Sequence, residues 1–91
     1  DPGIGFGKTA NQSWKLIKAA REFATLGFPV LYGHSRKSFL ALITDKVAAD
    51  RDLETSVLSL YLANCGVDIL RVHDVEYTKR TLQFQTMDLT W

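Results

Sequence analysis

The sequence predicts an α/β fold in which helices cover a parallel sheet. Helical patterns alternate with short apolar segments, in the order loop, helix, strand, helix, helix, strand, helix. Strands that are apolar throughout, and do not alternate with polar residues, are typical of parallel sheets buried on both faces. A chain of 91 residues, 46% of them hydrophobic, suffices for one small core.

The first predicted elements are a loop, a helix and a strand. Residues 1–10 form a glycine-rich loop, and Asn11 can cap a helix over residues 11–26. Gly27 is expected to end this helix at its C′ position, and a strand over residues 29–33 follows. The helix has an apolar face of Leu16, Ile17, Ala20, Phe23 and Ala24, opposite Lys15, Lys18 and Glu22.

Two further helices are predicted before the second strand. A short helix begins at Ser38 and runs to about residue 44, followed by a polar link over residues 45–51. Asp52 is a plausible N-cap for a helix over residues 53–64, which Gly66 ends. Small residues at helical spacing would let this helix lie close against a sheet: Ser56, Ser59 and Ala63.

The last predicted elements are a strand over residues 67–73 and a helix that Asp74 caps, ending near residue 85. Residues 84–91 show no clear helical stripe. Two parallel strands leave unpaired edges that need neighbours, and Asp1 opens the chain in the middle of a turn motif. We therefore expect a fragment of a longer polypeptide.

Composition excludes several classes of partner. The net charge of +1 gives no electrostatic reason to expect nucleic acid or an anionic membrane. No apolar run approaches the roughly 18–20 residues that cross a bilayer, and no secretory signal opens the chain. The single cysteine, Cys65, suits a reducing cytoplasm and is expected to be a small buried hydrophobe.

The opening motif, Asp-Pro-Gly-Ile-Gly-Phe-Gly-Lys-Thr, is not a nucleotide loop. The phosphate-binding P-loop needs four residues between its glycines, but only three separate Gly3 from Gly7. The dinucleotide pattern fails as well, because its third glycine comes one residue early. Asp1 would instead carry a carboxylate to the end of a strand, where it can accept two N–H bonds from an aminopyrimidine edge.

Two motifs follow the two predicted strands. After the first, the basic loop (residues 33–38, Gly-His-Ser-Arg-Lys-Ser) places two cations, two hydroxyls and free backbone N–H groups at one rim. After the second, Arg71 and His73 lie two residues apart and so point to the same face. An arginine beside a histidine at the end of a strand favours an anion site, although a lone histidine is more often structural.

In this order, the motifs DPGIGFGK, GHSRKSF and RVHDV resemble dihydropteroate synthase, the folate-pathway enzyme that joins a pterin to p-aminobenzoate. The resemblance implies a TIM (β/α)8 barrel of about 250 residues. Residues 1–91 would be its C-terminal portion, about the last third, comprising the loop after strand six and βα units seven and eight. The N-terminal part of this single pterin-binding domain would be absent.

The resemblance also implies a role for each motif residue, with no general acid, base or nucleophile among them. The pterin site would comprise Asp1, Lys37 and Gly33, whose lack of a side chain lets a ring approach the backbone. The p-aminobenzoate site would comprise Phe6, Ser35 and Ser38, and the pyrophosphate site Arg71 and His73.

Two residues of the basic loop receive other interpretations. Arg36 is expected to support the loop and not to touch substrate. His34 departs from the family pattern of a small or apolar residue, and its imidazole would either alter the fit of sulfonamides or face solvent.

The implied enzyme is a cytoplasmic transferase, a sulfonamide target and a homodimer. It condenses 6-hydroxymethyl-7,8-dihydropterin pyrophosphate with p-aminobenzoate, releasing pyrophosphate and 7,8-dihydropteroate. Its Mg²⁺ would take its protein ligand from the missing N-terminal part, and residues 1–91 alone would be inactive. Two alternatives remain: a pterin-binding methyltransferase barrel, in which the Ser-Arg-Lys-Ser and Arg-x-His motifs are not expected, and a non-catalytic pterin-binding fragment.

Overall fold

A computed structural model describes residues 1–86 of the chain. The α-helices are α1 (Ala10–Lys18), α2 (Ala20–Ala24), α3 (Asp52–Asn64) and α4 (Val75–Leu82). The strands are β1 (Leu31–Tyr32) and β2 (Ile69–Leu70), and 3₁₀ helices span Ser38–Leu42, Ala48–Asp50 and Gln83–Thr86. The predicted order of helices and strands is confirmed. The end of the chain, for which no helical stripe is visible, lies largely outside the described residues.

The two strands pair in parallel, as predicted. Leu31 lies opposite Ile69 and Tyr32 opposite Leu70. Both strands are shorter than the predicted 29–33 and 67–73. One reason is that Val30 donates its backbone N–H to the Asp68 carboxylate at 2.8 Å and not to a strand partner.

Helix α1 begins at a different cap from the predicted Asn11. The Thr9 hydroxyl accepts the Gln12 backbone N–H at 3.2 Å, and the Gln12 side chain accepts the Thr9 backbone N–H at 2.9 Å. This reciprocal pair is a capping box, which satisfies two N–H groups that a helix start leaves unpaired. Asn11 therefore lies inside the first turn, exposed to solvent.

The predicted helix over residues 11–26 is interrupted and ends early. Ala19, at φ −86° and ψ 5°, separates α1 from α2. At the end of α2, the hydroxyl and backbone N–H of Thr25 both donate to the Glu22 carbonyl, which tightens the last turn. Gly27, with φ +90°, lies two residues beyond the cap Thr25 and not at C′. The predicted apolar face is nevertheless the face that is buried.

Helix α3 ends as predicted but starts differently. Asp52 is its first residue and not its cap, because the Asp52 carboxylate is bound to Arg36. At the other end, Val67 donates to the Leu62 carbonyl at 3.1 Å and Gly66 to the Ala63 carbonyl at 3.0 Å. These two bonds form a Schellman motif.

Asp74 caps helix α4, as predicted. Its carboxylate accepts the Tyr77 backbone N–H at 2.9 Å. The helix ends at Leu82 and continues as a 3₁₀ turn. The predicted short helix after the basic loop is likewise a 3₁₀ helix, Ser38–Leu42, since α-helical pairing is not sustained there.

The core lies between the sheet and the helices. Two hydrogen bonds tie its aromatic residues to the backbone: the Trp14 indole donates to the Phe39 carbonyl at 3.0 Å, and the Tyr32 hydroxyl donates to the Leu16 carbonyl at 2.7 Å. Cys65 is buried, as predicted. The buried apolar residues are Ile4, Ile17, Ala20, Val30, Tyr32, Phe39, Leu40, Leu62, Cys65 and Val67.

Ser56, Ser59 and Ala63 are the residues predicted to let α3 lie close against the sheet. Ser56 and Ser59 are buried and Ala63 is half-buried. Helix α3 packs chiefly against α4, and it reaches the segment after β1 through the contact of Ser59 with His34. Among residues 1–86, none of the helices has the length and apolar character needed to cross a membrane.

Candidate functional site

The segments that follow β1 and β2 meet at a cavity of about 250 Å³. Its lining comprises Gly33, Ser35, Lys37, Arg71, Val72 and His73. Five of the eight predicted site residues are therefore brought together, although the two segments are more than thirty residues apart in sequence. Parallel strands explain this convergence, because their carboxyl ends lie at the same edge of the sheet.

Arg71 crosses directly over Gly33. A Cβ atom at position 33 would overlap the Arg71 guanidinium, so the flexible end of the Arg71 side chain would have to move. The missing side chain at Gly33 was expected to admit a ligand ring. In the structure, the Arg71 guanidinium occupies that space.

Asp1 extends the site beyond the cavity lining. Its Oδ2 atom lies 3.8 Å from the Arg71 Nη1 atom, while its Oδ1 atom accepts the Gly3 backbone N–H at 2.9 Å. Both charged side chains are about half exposed. The carboxylate predicted for the pterin and the guanidinium predicted for pyrophosphate are therefore neighbours.

Lys37 joins the basic loop to the glycine-rich loop. Its ammonium donates to the Ile4 carbonyl at 2.5 Å and lies 4.4 Å from the centre of the Phe6 ring, a cation–π distance. Burial, and secondarily the charge of Arg71, lowers the pKa of Lys37. The Phe6 ring itself is 66% exposed, so one apolar face beside the cation is open.

Ser35 and His73 form the second link across the site. The Ser35 hydroxyl oxygen accepts the His73 backbone N–H at 3.1 Å and lies 2.7 Å from the His73 Nδ1 atom. The Ser35 hydroxyl donates to Nδ1 or accepts a proton from it, according to the tautomer of His73. Ser35 is buried, whereas His73 is exposed.

Ser38 lies at the margin of this arrangement. It is the first residue of the 3₁₀ helix that follows Lys37, and it is exposed. Ser38, Asp1 and Phe6 do not line the cavity. Phe6 lies beside Lys37 and Asp1 beside Arg71, whereas Ser38 is placed near the cavity only by following Lys37 in the chain.

His34 does not face solvent, which was one of the two alternatives predicted for it. It is completely buried, and it is not among the residues that line the cavity. Its Nε2 atom lies 2.7 Å from the Ser59 hydroxyl of α3, which in turn donates to the Thr55 carbonyl at 2.7 Å. Burial lowers the pKa of His34 to about 4, so the imidazole is neutral near pH 7.

Arg36 supports the loop, as predicted, and does so through residues of α3 that sequence reasoning did not assign to the site. Its guanidinium binds both oxygens of Asp52, each at 2.8 Å, and its backbone N–H donates to the Thr55 hydroxyl at 3.0 Å. The sequence does contain a signal for these residues of α3. Asp52, Thr55 and Ser59 are three and four residues apart, a spacing that places them on one helix face.

A metal site is not evident in the described part of the chain. Within residues 1–86, no three histidine, cysteine, aspartate or glutamate side chains lie together in a way that could hold a metal ion.

Known proteins of folate synthesis are similar to this chain over most of its length. A family model described as "Pterin binding enzyme" matches residues 1–73. The folate synthesis bifunctional protein of Chlamydia muridarum is 53% identical over 83 residues, which is 90% of this chain and 18% of that protein. The dihydropteroate synthase of Haemophilus influenzae is 39% identical over 83 residues, which is 91% of this chain and 30% of that protein.

Solved structures share the fold. Dihydropteroate synthase from Anaplasma phagocytophilum with bound 6-hydroxymethylpterin-monophosphate superimposes with a TM-score of 0.84 at 45% identity, over 90% of this chain and 32% of that one. The Xanthomonas albilineans dihydropteroate synthase with 4-aminobenzoic acid gives a TM-score of 0.87 at 35% identity, over 93% of this chain and 32% of that one.

The chain spans about a fifth to a third of the length of these similar proteins. Within that span, the family match covers all three motifs: the glycine-rich opening, the basic loop and the Arg-x-His pair. The chain therefore belongs to the pterin-binding enzyme family.

Proposed function

We propose that this chain is part of a dihydropteroate synthase, here called the parent polypeptide, that condenses 6-hydroxymethyl-7,8-dihydropterin pyrophosphate with p-aminobenzoate. The observation that carries the proposal is the convergence of Lys37, Arg71 and His73 on one cavity at the ends of β1 and β2. Two of the similar solved structures hold a pterin monophosphate and 4-aminobenzoic acid, which are closely related to the two proposed substrates.

The pterin is assigned to Asp1, Lys37 and Gly33. The half-exposed Asp1 carboxylate has acceptor capacity for a pair of ring N–H groups. Lys37 would turn its ammonium from the Ile4 carbonyl toward a ring acceptor, a short movement for a side chain with four rotatable carbons. The pterin ring would contact Gly33 once the half-exposed Arg71 side chain, which covers Gly33 in the structure, turns toward the pyrophosphate.

The pyrophosphate is assigned to Arg71 and His73. In the reaction, the bond between the pterin methylene carbon and the pyrophosphate oxygen breaks, and the amine nitrogen of p-aminobenzoate bonds to that carbon and then releases a proton. Negative charge develops on the leaving oxygen, so a guanidinium and an imidazole N–H lower the barrier by stabilising that charge. An aromatic amine attacks without prior deprotonation, which removes the need for a strong base.

The p-aminobenzoate is assigned to Phe6, Ser35 and Ser38. The exposed Phe6 ring offers an apolar wall for the benzoate ring, and Ser38 at a helix start offers a hydroxyl to its carboxylate. The Ser35 hydroxyl is already engaged with His73, so Ser35 would act near this substrate chiefly by holding that ring.

We further propose the place of residues 1–91 in the whole enzyme: the loop after strand six and βα units seven and eight of a TIM barrel. A magnesium ion on the pyrophosphate would neutralise charge there and would take its protein ligand from the N-terminal part of the barrel. The parent polypeptide is proposed to be a cytoplasmic homodimer.

The experiment is steady-state kinetics and pterin binding of the parent polypeptide and two variants. Lys37→Ala should weaken pterin binding about ten- to a hundredfold, since it removes a charged hydrogen-bond donor. Arg71→Ala should lower kcat about a hundredfold or more, since it removes charge stabilisation of the leaving group. Lys18→Ala, which removes an exposed lysine from α1, is the control for charge and should change neither value.

The proposed function is refuted if the parent polypeptide forms no dihydropteroate from the two substrates. Unchanged kinetics in both the Lys37 and the Arg71 variant would refute the roles assigned to these residues, although the proposed reaction would still hold.

A further inference from the structure

The guanidinium of Arg36 is held at the start of α3. Its Nε atom lies 2.8 Å from Asp52 Oδ1, and its Nη2 atom lies 2.8 Å from Asp52 Oδ2. Two parallel bonds of this kind fix the orientation of both side chains, unlike a single contact between charges. The pairing lowers the pKa of Asp52, so the carboxylate stays ionised.

The backbone of Arg36 is held by the same helix. Its N–H donates to the Thr55 hydroxyl at 3.0 Å, and its carbonyl accepts the Arg51 Nη1 atom at 3.1 Å. His34, two residues before Arg36, contributes a third attachment, since its Nε2 atom lies 2.7 Å from the Ser59 hydroxyl of α3. The basic loop is therefore attached to one face of α3 at several points.

Arg36 also has an uncommon backbone conformation. Its φ of +58° is the only positive value among the non-glycine residues of the described chain. This conformation costs an L-residue about 1–2 kcal/mol, so it persists only where the surroundings hold it. The bonds to Asp52, Thr55 and Arg51 supply that hold.

The neighbours of Arg36 line the cavity, whereas Arg36 itself does not. Ser35 precedes it and bonds to His73; Lys37 follows it and reaches Ile4 and Phe6. A shift of residue 36 would displace both of these side chains together. The side chains of Arg36 and Asp52 are only about a quarter exposed, and their two parallel bonds hold residue 36 in place despite its unfavourable backbone conformation.

We propose that Arg36 is a positioning residue, whose clamp to Asp52, Thr55 and Arg51 at the start of α3 fixes the basic loop so that Ser35 and Lys37 face the cavity. The proposal deepens and rests on the proposed function, because position matters only if this cavity binds the substrates.

The test compares four forms of the parent polypeptide with the wild type. Asp52→Asn removes the charge but keeps the shape. Arg36→Gly removes both bonds to Asp52, keeps the backbone bonds to Thr55 and Arg51, and adopts a positive φ without strain. The double variant combines both changes. Asp45→Asn removes a carboxylate from the nearby exposed link and serves as the control. Each is measured by hydrogen exchange of residues 33–38, by KM and kcat, and by thermal unfolding.

Both single variants are expected to exchange faster over residues 33–38 and to lose about ten- to a hundredfold in kcat/KM, chiefly through a higher KM for the pterin. The double variant should be no worse than either single variant, because both remove the same interaction. The Asp45→Asn control should match the wild type.

Unchanged hydrogen exchange of residues 33–38 in both single variants would overturn the claim that the clamp holds the basic loop. Faster exchange with unchanged KM and kcat would overturn its role in positioning, as would an activity loss that merely follows a lower unfolding temperature. A wild type without dihydropteroate synthesis would refute the proposed function, and with it the positioning role that rests on it. The exchange data would then still decide whether the clamp holds the loop.

Discussion

His34 is a buried imidazole whose neutral form stabilises the fold. Burial lowers its pKa from 6.5 to about 4, whereas the unfolded chain keeps the ordinary value. Between those two pH values the unfolded chain binds more protons, so the free energy of unfolding decreases as the pH falls through this window. The full loss is about 3 kcal/mol, complete near pH 4.

Replacing His34 by Leu should flatten this dependence. The free energy of unfolding of the parent polypeptide, measured by urea denaturation at intervals from pH 7.5 to pH 4, should fall less steeply in the variant. Above pH 7.5 the slopes of the two proteins should agree, since His34 is neutral there in both states. Parallel curves down to pH 4 would contradict the assignment.

At the scale of elements, the end of α3 depends on Gly66. Its φ of +99° closes the Schellman motif, and an added Cβ would lie 3.2 Å from the Ala24 Cβ of α2. Gly27 provides a matched control, because it has a φ of +90° but no atom within 4 Å of an added Cβ.

Gly66→Ala should therefore destabilise the protein more than Gly27→Ala. Backbone strain alone costs about 1–2 kcal/mol in either variant, and the crowding against Ala24 adds to it only at position 66. Urea unfolding of the two variants and the wild type measures the difference. Equal losses would show that the contact with α2 relaxes without cost.

The same elements show which boundaries are predictable. The Schellman glycine and the Asp74 cap act on their own helix within a few residues, and both predictions are confirmed. Asp52 has the residue type and position of a helix cap, as Asp74 does. It does not cap α3, because its carboxylate binds Arg36, sixteen positions earlier in the chain. Helix propensity depends on neighbouring residues and cannot predict such a distant partner.

At the scale of the whole molecule, a two-stranded sheet and several exposed aromatic and aliphatic side chains leave much apolar surface uncovered. Phe28 is 77% exposed and Ile69 50%. Parallel sheets are ordinarily covered on both faces. This surface is what we expect where the remaining strands and helices of a barrel pack.

The 91-residue polypeptide by itself should form no dihydropteroate, because it holds only part of the proposed site. The purified chain is assayed with both substrates and Mg²⁺, and the parent polypeptide serves as the positive control. Product formed by the isolated chain, at a rate comparable with that of the parent, would contradict the proposed division of the site.

The sequence by itself determined the α/β order, the parallel pairing and the motifs that gather around one cavity. Hydrophobic patterning and turn residues act locally, and parallel pairing then brings the ends of β1 and β2 to one edge. Only the tertiary structure decided that His34 turns into α3, that Ser35 holds His73 and that Arg71 covers Gly33. Each of these contacts joins residues 25 to 38 positions apart, so it depends on how packed elements meet and not on local propensity.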